Sequence, residues 1–162
     1  MATQMAFRAP GPPLRPAGGP APGVRSARPA LPRVSVVIPA RNEAECIGTT
    51  VDGVADALAS LGLEWEVIVI DDGSTDGTGD AVAGLGPSCH ASVLRLSRNF
   101  GKEAAITAGL DHASGDVILC MDADGQHPLS LIPKMLDRWR EGYEMVYAVR
   151  TDRATESHYK RI

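Results

Sequence analysis

The chain alternates between short, almost uninterrupted apolar runs and longer segments in which apolar residues recur every three or four positions. The apolar runs are Val34–Ile38, Trp65–Ile70, Ser92–Leu96, the run that ends at Asp122, and Met145–Val149. Runs of this length predict strands buried on both faces of a parallel sheet. The clearest periodic segment places five apolar residues on one helical face: Ile47, Val51, Val54, Leu58 and Leu61. Helices are therefore expected between the strands.

Strands that alternate with helices predict an α/β fold, with a mainly parallel, Rossmann-like sheet and helices on both faces. Gly62 is expected to end the first helix, and further helices are expected at Lys102–Ala113 and Leu129–Trp139. Ligands of such sheets bind beyond the carboxyl ends of the strands. Polar clusters follow the strands at those ends: Arg41–Glu43, Asp71–Asp72, Arg98–Lys102, Asp122–Asp124 and Arg150. We expect these clusters to gather on one rim of the sheet.

Composition separates residues 1–33 from the rest of the chain. This segment holds eight of the 12 prolines and five arginines without an acidic residue, and it is predicted to be a disordered leader. The net charge of −4 is therefore the balance of +5 here and −9 in residues 34–162, which are predicted to form one domain. An acidic body argues against nucleic acid as a partner. The three cysteines lack metal-ligand spacing, and Cys120 is expected in the core.

Asp122 and Asp124 form the strongest candidate site. Side chains two positions apart on extended backbone point to the same side, so the two carboxylates repel each other unless a cation lies between them. Hard oxygen ligands suit Mg²⁺ or Mn²⁺, especially an ion that also holds substrate phosphates. Gln126 adds a neutral oxygen two residues later. The pattern therefore indicates a divalent metal site, although a solvated acidic turn remains open from these residues alone.

Other polar residues at strand ends indicate a nucleoside ligand. Asp71 and Asp72 end the second strand, where a carboxylate can accept from a ribose hydroxyl or a base N–H. The first loop, Pro39–Glu45, contains no glycine, so a dinucleotide pyrophosphate could not approach its backbone, and we exclude an NAD site. Glu43 is a candidate nucleoside contact. Lys102 at a helix start opposes the helix dipole, which indicates an anionic ligand.

Four segments carry a resemblance to a known family. They are Val36–Glu43 (VVIPARNE), Val69–Thr78 (VIDDGSTDGT), Arg98–Lys102 (RNFGK) and Met121–Pro128 (MDADGQHP). In this order they resemble family 2 glycosyltransferases with the GT-A fold. The Arg98–Lys102 loop and the tail from Val149 to Arg161 are most similar to the polyprenyl-phosphate sugar transferases. The resemblance covers Val34 to Ile162, and it implies that the chain comprises the nucleotide-sugar-binding part without the C-terminal part of the fold.

The resemblance implies roles for individual residues. The nucleotide sugar would be bound by Pro39, Arg41, Glu43, Asp71, Asp72, Lys102 and Asp122. The divalent metal, Mg²⁺ or Mn²⁺, would be held by Asp122, Asp124 and Gln126. The acceptor phosphate would meet Arg150, Lys160 and Arg161, and the catalytic pair would be Asp124 and Arg150.

The implied reaction is metal-dependent transfer of a sugar from a nucleotide sugar to a polyprenyl phosphate, with inversion at the sugar. The expected donor is UDP-glucose, GDP-mannose or UDP-N-acetylglucosamine. The expected location is the cytoplasmic face of a membrane, bound peripherally, because no apolar run approaches the ~18 residues that span a bilayer.

Two alternatives remain open. One is a nucleotide-sugar-binding protein without catalysis. The other is a phosphatase of the haloacid-dehalogenase type, since Asp122-Ala-Asp124-Gly resembles the nucleophile loop of those enzymes. That loop usually ends the first strand and is followed by Thr or Val, whereas here it follows the fourth strand and is followed by Gln126.

Overall fold

The computed structural model of the chain describes residues 5–7, 28–125 and 128–150. The chain forms two compact units. One spans Arg28–Ser130, and the other is built from the two ends of the chain. In chain order the strands are β1 (Met5–Phe7), β2 (Val34–Ala40), β3 (Trp65–Asp71), β4 (Ala91–Arg95), β5 (Val117–Cys120) and β6 (Ala148–Arg150). The α-helices are α1 (Ile47–Ser60), α2 (Thr78–Ala83), α3 (Lys102–His112) and α4 (Ile132–Arg140). Short 3₁₀ turns lie at Pro87–Cys89 and Leu129–Leu131.

The larger unit is built on a four-stranded sheet in the order β4-β3-β2-β5, with every neighbouring pair parallel. Val36 and Val37 point to opposite faces of β2, and neither is exposed, so this strand is buried on both sides. The connections run from β2 to β4 in one direction and from β4 across to β5 in the other. Right-handed crossovers therefore place α1 and α2 on one face and α3 on the other. The predicted parallel α/β sheet with helices on both faces is confirmed.

The helices form where apolar periodicity predicts them. In α1 the predicted stripe is fully buried at Ile47, Val51, Val54 and Leu58. Gly62, with a φ of +64°, follows the end of this helix, as its lack of a Cβ allows. On the other face, Ala105 of α3 belongs to a buried cluster with Val37, Ile68 and Ile70. The core of the unit thus lies on both sides of the two central strands.

The outer strand β5 departs from the expectation of full burial. Leu119 is buried, but Ile118 is 38% exposed, and Cys120 is exposed as well. Cys120 lies opposite Val37, on the face covered by α3. In the described part of the chain α3 packs mainly over β2 and β3. The prediction that Cys120 is a core residue is therefore wrong.

The prediction for the last strand was wrong in both its bounds and its sheet. Met145–Val149 was expected to extend the parallel sheet, but the strand is Ala148–Arg150, and it pairs antiparallel with β1 in a separate two-stranded sheet. β1 itself lies within the segment predicted to be a disordered leader. Most of that segment falls outside the described residues, so the prediction for it stays a prediction. Within the described residues, no helix has the length and apolarity to cross a membrane.

Candidate active site

A cleft of about 440 Å³ opens beyond the carboxyl ends of β2, β3 and β5. It lies at the point where the connections change direction, which is where α/β sheets bind ligands. Sequence-predicted residues that line it are Pro39, Arg41, Glu43, Asp72, Lys102, Asp122 and Asp124. Asn99, Gly101 and Ala105 line it as well. The structure thus brings four of the polar clusters to one cleft, while their roles stay predictions.

The first wall of the cleft is the loop after β2, and it is held by the loop after β3. Asn42 adopts a φ of +56°, and its backbone N–H donates to the Ser74 hydroxyl at 3.0 Å. In return, the Thr75 N–H donates to Asn42 Oδ1 at 2.9 Å. Asp76 accepts from the Ala44 N–H at 3.0 Å and from the Thr78 hydroxyl. These bonds fix the backbone that carries Arg41 and Glu43.

Asp76 stabilises the contact between the loops after β2 and β3. The Thr78 hydroxyl donates to Asp76 Oδ1 at 2.6 Å, and this bond, with that from the Ala44 N–H, lowers the pKa of Asp76. The same Thr78 oxygen accepts from the Glu43 N–H at 2.9 Å. The Asp76 carboxylate therefore stabilises the contact between the loops after β2 and β3 at two points, the Ala44 N–H and the Thr78 hydroxyl.

The Asp72 carboxylate holds the next loop in place. Its two oxygens accept from the N–H groups of Phe100 and Gly101, at 2.7 and 2.9 Å. Beside it, Gly73 has a φ of +67°, and a Cβ there would lie 2.5 Å from the Arg98 carbonyl carbon. Only glycine allows this approach. Asp72 therefore lies in the cleft as predicted, and it has a structural task that the sequence did not indicate.

Asp71 is the candidate residue that the fold directs elsewhere. It is 7% exposed, and its Oδ1 accepts from the Ser74 N–H at 2.8 Å within its own loop. It is not among the residues that line the cleft. Neighbouring side chains at a strand end point to opposite sides, so Asp72 reaches the cleft and Asp71 does not.

The Asp122–Asp124 loop forms the opposite wall. Lys102 Nζ, at the start of α3, donates to Asp122 Oδ1, so an ion pair joins the loops after β4 and β5. Gly125 continues the loop with a φ of +67°, a conformation that favours glycine. With this ion pair, hydrogen bonds or ion pairs link each wall of the cleft to the next.

The chemistry of the cleft fits a divalent cation. Four carboxylates (Glu43, Asp72, Asp122 and Asp124) face two cationic side chains (Arg41 and Lys102), so the lining carries an excess of negative charge. Among the residues that the structure describes, no three His, Cys, Asp or Glu side chains converge to hold a metal. Gln126 lies outside those residues. Asp122 and Asp124 would thus supply part of a coordination shell, as expected for an ion completed by water and phosphate oxygens.

The first turn of α1 and its N-cap contribute two residues that sequence reasoning missed, Thr50 and Cys46. The Thr50 hydroxyl donates to the Ala123 carbonyl at 2.8 Å. Cys46 donates to Glu43 Oε2 at 3.1 Å, and this bond, together with burial, raises the pKa of the Cys46 thiol to about 11. A thiol with such a pKa is not a nucleophile at neutral pH. The Thr50 contact could not be found from spacing, because Thr50 and Ala123 are 73 positions apart.

Of the predicted acceptor-phosphate residues, the structure describes only the backbone of Arg150. Arg150 was expected at the end of a strand of the parallel sheet. Its backbone instead ends β6, which belongs to the unit built from the two ends of the chain. Lys160 and Arg161 lie outside the described residues. Their roles stay predictions from the resemblance.

The family follows from comparison with known proteins. Residues 35–161 match the family described as Glycosyl transferase family 2. The match covers most of the chain, so this protein belongs to that family, and its Rossmann-like sheet is the GT-A fold expected from the resemblance. The phosphatase alternative relied on four residues of one loop, and a match of this extent outweighs it.

Two relatives within this family are similar to the chain over most of its length. The chain is 41% identical over 130 residues to the bactoprenol glucosyl transferase of Shigella phage SfV, covering 80% of this chain and 42% of that protein. It is 40% identical over 125 residues to the undecaprenyl-phosphate 4-deoxy-4-formamido-L-arabinose transferase of Salmonella paratyphi B, covering 76% and 38%. The chain thus spans about two fifths of the length of these relatives.

Among solved structures, the mannosyl-3-phosphoglycerate synthase from Rubrobacter xylanophilus superposes with a TM-score of 0.58 and 28% identity. The similarity covers 68% of this chain and 37% of that one. The fold is thus shared with an enzyme that is named for mannosyl-3-phosphoglycerate and not for a polyprenyl phosphate.

Proposed function

We propose that this chain forms the donor-binding part of a glycosyltransferase that moves a sugar from a nucleotide sugar to a polyprenyl phosphate. The observation that carries the proposal is the convergence of the Pro39–Glu43 loop, Asp72, Lys102 and the Asp122–Asp124 loop on one cleft. Two relatives named for bactoprenol or undecaprenyl phosphate support the acceptor class. The expected site of action is the cytoplasmic membrane surface, where such a lipid would be met.

The cleft residues divide into two tasks. Pro39, Glu43 and the loop held by Asp72 form the wall for the nucleoside, while Arg41 and Lys102 provide positive charge for the diphosphate. A divalent ion, Mg²⁺ or Mn²⁺, bound by Asp122 and Asp124 would supply Lewis-acid stabilisation of the leaving diphosphate. Gln126 is proposed as a further ligand. Arg150, Lys160 and Arg161 are proposed to meet the acceptor phosphate.

The reaction needs little proton transfer. An acceptor phosphate oxygen forms the new bond to the anomeric carbon as the bond to the nucleoside diphosphate breaks, which inverts the sugar. A phosphate monoester is already ionised at neutral pH, so the attacking oxygen needs no strong general base. Among the described residues, the charged side chains that line the cleft are carboxylates, one arginine and one lysine.

A titration of donor binding tests the proposal. UDP-glucose, GDP-mannose and UDP-N-acetylglucosamine are titrated into the protein with and without Mn²⁺, for the wild type and for Asp124→Asn. We expect one donor to bind only with Mn²⁺, and Asp124→Asn to weaken that binding by about 100-fold, because loss of a partner outside the coordination shell already costs about 10–100-fold. The matched control is Asp111→Asn, an exposed acid on α3 that does not line the cleft. Failure of every donor to bind folded wild-type protein would refute the proposal.

A turnover assay separates the remaining alternative. Donor binding without catalysis is the second candidate, because this chain spans about two fifths of the length of its relatives. Incubation with the bound donor and undecaprenyl phosphate should yield a glycosylated lipid and free nucleoside diphosphate. Binding without product would assign residues 1–162 a donor-binding role alone.

A further inference from the structure

Helix α1 reaches the Asp122–Asp124 loop through one buried hydroxyl. Thr50 is 7% exposed, and its Oγ1 donates to the Ala123 carbonyl oxygen at 2.8 Å. One helical turn earlier, the Cys46 thiol lies 3.5 Å from the same oxygen. Cys46 is the N-cap of α1 and lies four residues before Thr50, so the start of this helix presents both donors to one acceptor. The shorter bond belongs to Thr50.

The accepting carbonyl belongs to the residue between the two candidate metal ligands. A peptide bond is planar, so fixing the Ala123 oxygen also fixes the plane that leads into Asp124. Ala123 is 4% exposed, which leaves its backbone little room to turn. On the other side of Asp124, a Cβ at Gly125 would lie 3.4 Å from Thr50 Oγ1. The hydroxyl therefore borders the loop both before and after Asp124.

The helix that carries Thr50 is well anchored. Ile47, Val51 and Val54 surround it in sequence and are completely buried in the core. Valine has nearly the same shape as threonine, and packing alone would be satisfied by it. A buried hydroxyl without a partner is costly, whereas here the Ala123 carbonyl accepts from it. The Thr50 hydroxyl therefore serves to hold the Asp122–Asp124 loop and is not needed for packing of the core.

We propose that Thr50 is a positioning residue that sets the orientation of the Asp122 and Asp124 carboxylates for binding the divalent ion of the donor complex. This inference rests on the proposed function, since it concerns the same site. Thr50 is not among the residues that line the cleft, so its hydroxyl acts through the Ala123 peptide. Partners of this kind typically change metal affinity 10–100-fold.

The test measures binding of Mn²⁺ alone, and of the donor in its presence, rather than turnover. Thr50→Val removes the hydroxyl at constant shape, and Thr50→Ala removes it with different packing. Both should weaken Mn²⁺ binding about tenfold or more. Thr50→Ser keeps the hydroxyl and should restore affinity to within about twofold, which a role in packing alone would not produce.

Two controls separate positioning from stability. Ser35→Ala also removes a buried hydroxyl, one that donates to Glu66 at the opposite end of β2, so it should lower Tm without changing Mn²⁺ affinity. Thr107→Val removes a hydroxyl that donates to the Glu103 carbonyl on the exposed face of α3. It should change neither Tm nor Mn²⁺ affinity.

The outcomes are distinct. Weaker Mn²⁺ binding in Thr50→Val and Thr50→Ala, with recovery in Thr50→Ser, supports the inference. If Thr50→Val lowers Tm but leaves Mn²⁺ affinity unchanged, this inference is overturned. The proposed function remains intact in that case, provided that Asp124→Asn still weakens donor binding about 100-fold. If Asp124→Asn binds Mn²⁺ and donor like the wild type, the proposed function fails and this inference fails with it.

Discussion

At the scale of single residues, Lys102 forms an exposed ion pair that a bound donor could replace. In the structure its ammonium pairs with Asp122, and the two side chains are 58% and 41% exposed. An ion pair this exposed contributes at most about 1 kcal/mol, so it can be exchanged for a better partner. The donor diphosphate is that partner in the proposed complex, since a metal on Asp122 would release the ammonium.

Replacing this lysine should move two affinities in opposite directions. In Lys102→Met, Mn²⁺ no longer competes with the ammonium for Asp122, and its affinity without donor should rise about 2- to 5-fold. Donor affinity at saturating Mn²⁺ should fall about tenfold or more, because a charged hydrogen bond is lost. Calorimetric titration measures both. Lys134→Met, at an exposed position on α4, is the control, and a parallel fall in both affinities would contradict the exchange.

At the scale of elements, the approach of α3 to the sheet depends on one glycine. A Cβ at Gly109 would lie 2.4 Å from Val37 Cγ1 and 2.6 Å from Ile70 Cδ1, both in fully buried side chains. The helix backbone therefore packs directly against the sheet. This close packing also sets the position of Lys102, which begins the same helix.

Gly109→Ala decides between helix propensity and packing. Propensity alone predicts a gain of up to about 1 kcal/mol for alanine. Overpacking of a filled core costs about 1–3 kcal/mol, so we expect a net loss in the free energy of unfolding. Urea unfolding measures it. The control is Gly48→Ala in α1, where the nearest atom would lie at an ordinary 3.8 Å and the change should be neutral or stabilising.

At the scale of the whole larger unit, one carboxylate ties three strands together at the end of the sheet away from the cleft. Glu66 of β3 accepts from the Ser35 hydroxyl of β2 at 2.6 Å. It also accepts from the N–H and hydroxyl of Ser114, which precedes β5, at 2.9 and 2.7 Å. Burial raises the pKa of Glu66, but these hydrogen bonds and nearby Arg33 outweigh it, and the net effect lowers the pKa.

This network should make stability depend on acid pH. A carboxyl whose pKa is lower in the folded than in the unfolded state stabilises the protein above its ordinary pKa of 4.5, and this contribution is lost as the pH falls through the folded value. Glu66→Gln should therefore lower the free energy of unfolding at pH 7 and reduce its decline in acid. Urea unfolding from pH 3 to 7 measures both. Glu64→Gln, an exposed neighbour, should keep the wild-type profile, and an unchanged profile in Glu66→Gln would contradict the role.

The sequence by itself determined the order of elements and the location of the site. Apolar runs and three-to-four periodicity depend on local repeats, so they identify β2 to β5 and the α1 stripe without tertiary information. The rule that ligands bind beyond the carboxyl ends of parallel strands then placed Glu43, Lys102, Asp122 and Asp124 at one cleft. The resemblance carried by the same loops identified the family. The roles of all the candidate site residues stay predictions, and Gln126, Lys160 and Arg161 lie outside the described residues.

The tertiary structure decided which side chains face the cleft and what holds them there. Asp71 and Asp72 are equivalent in sequence, and only the twist and pairing of β3 show that Asp72 reaches the cleft. The exposure of Cys120 depends on how far α3 extends over the sheet, and the partner of β6 is a strand from the other end of the chain. The Thr50–Ala123 bond joins residues 73 positions apart. Such partners are chosen by packing between distant segments, which no local pattern along the chain encodes.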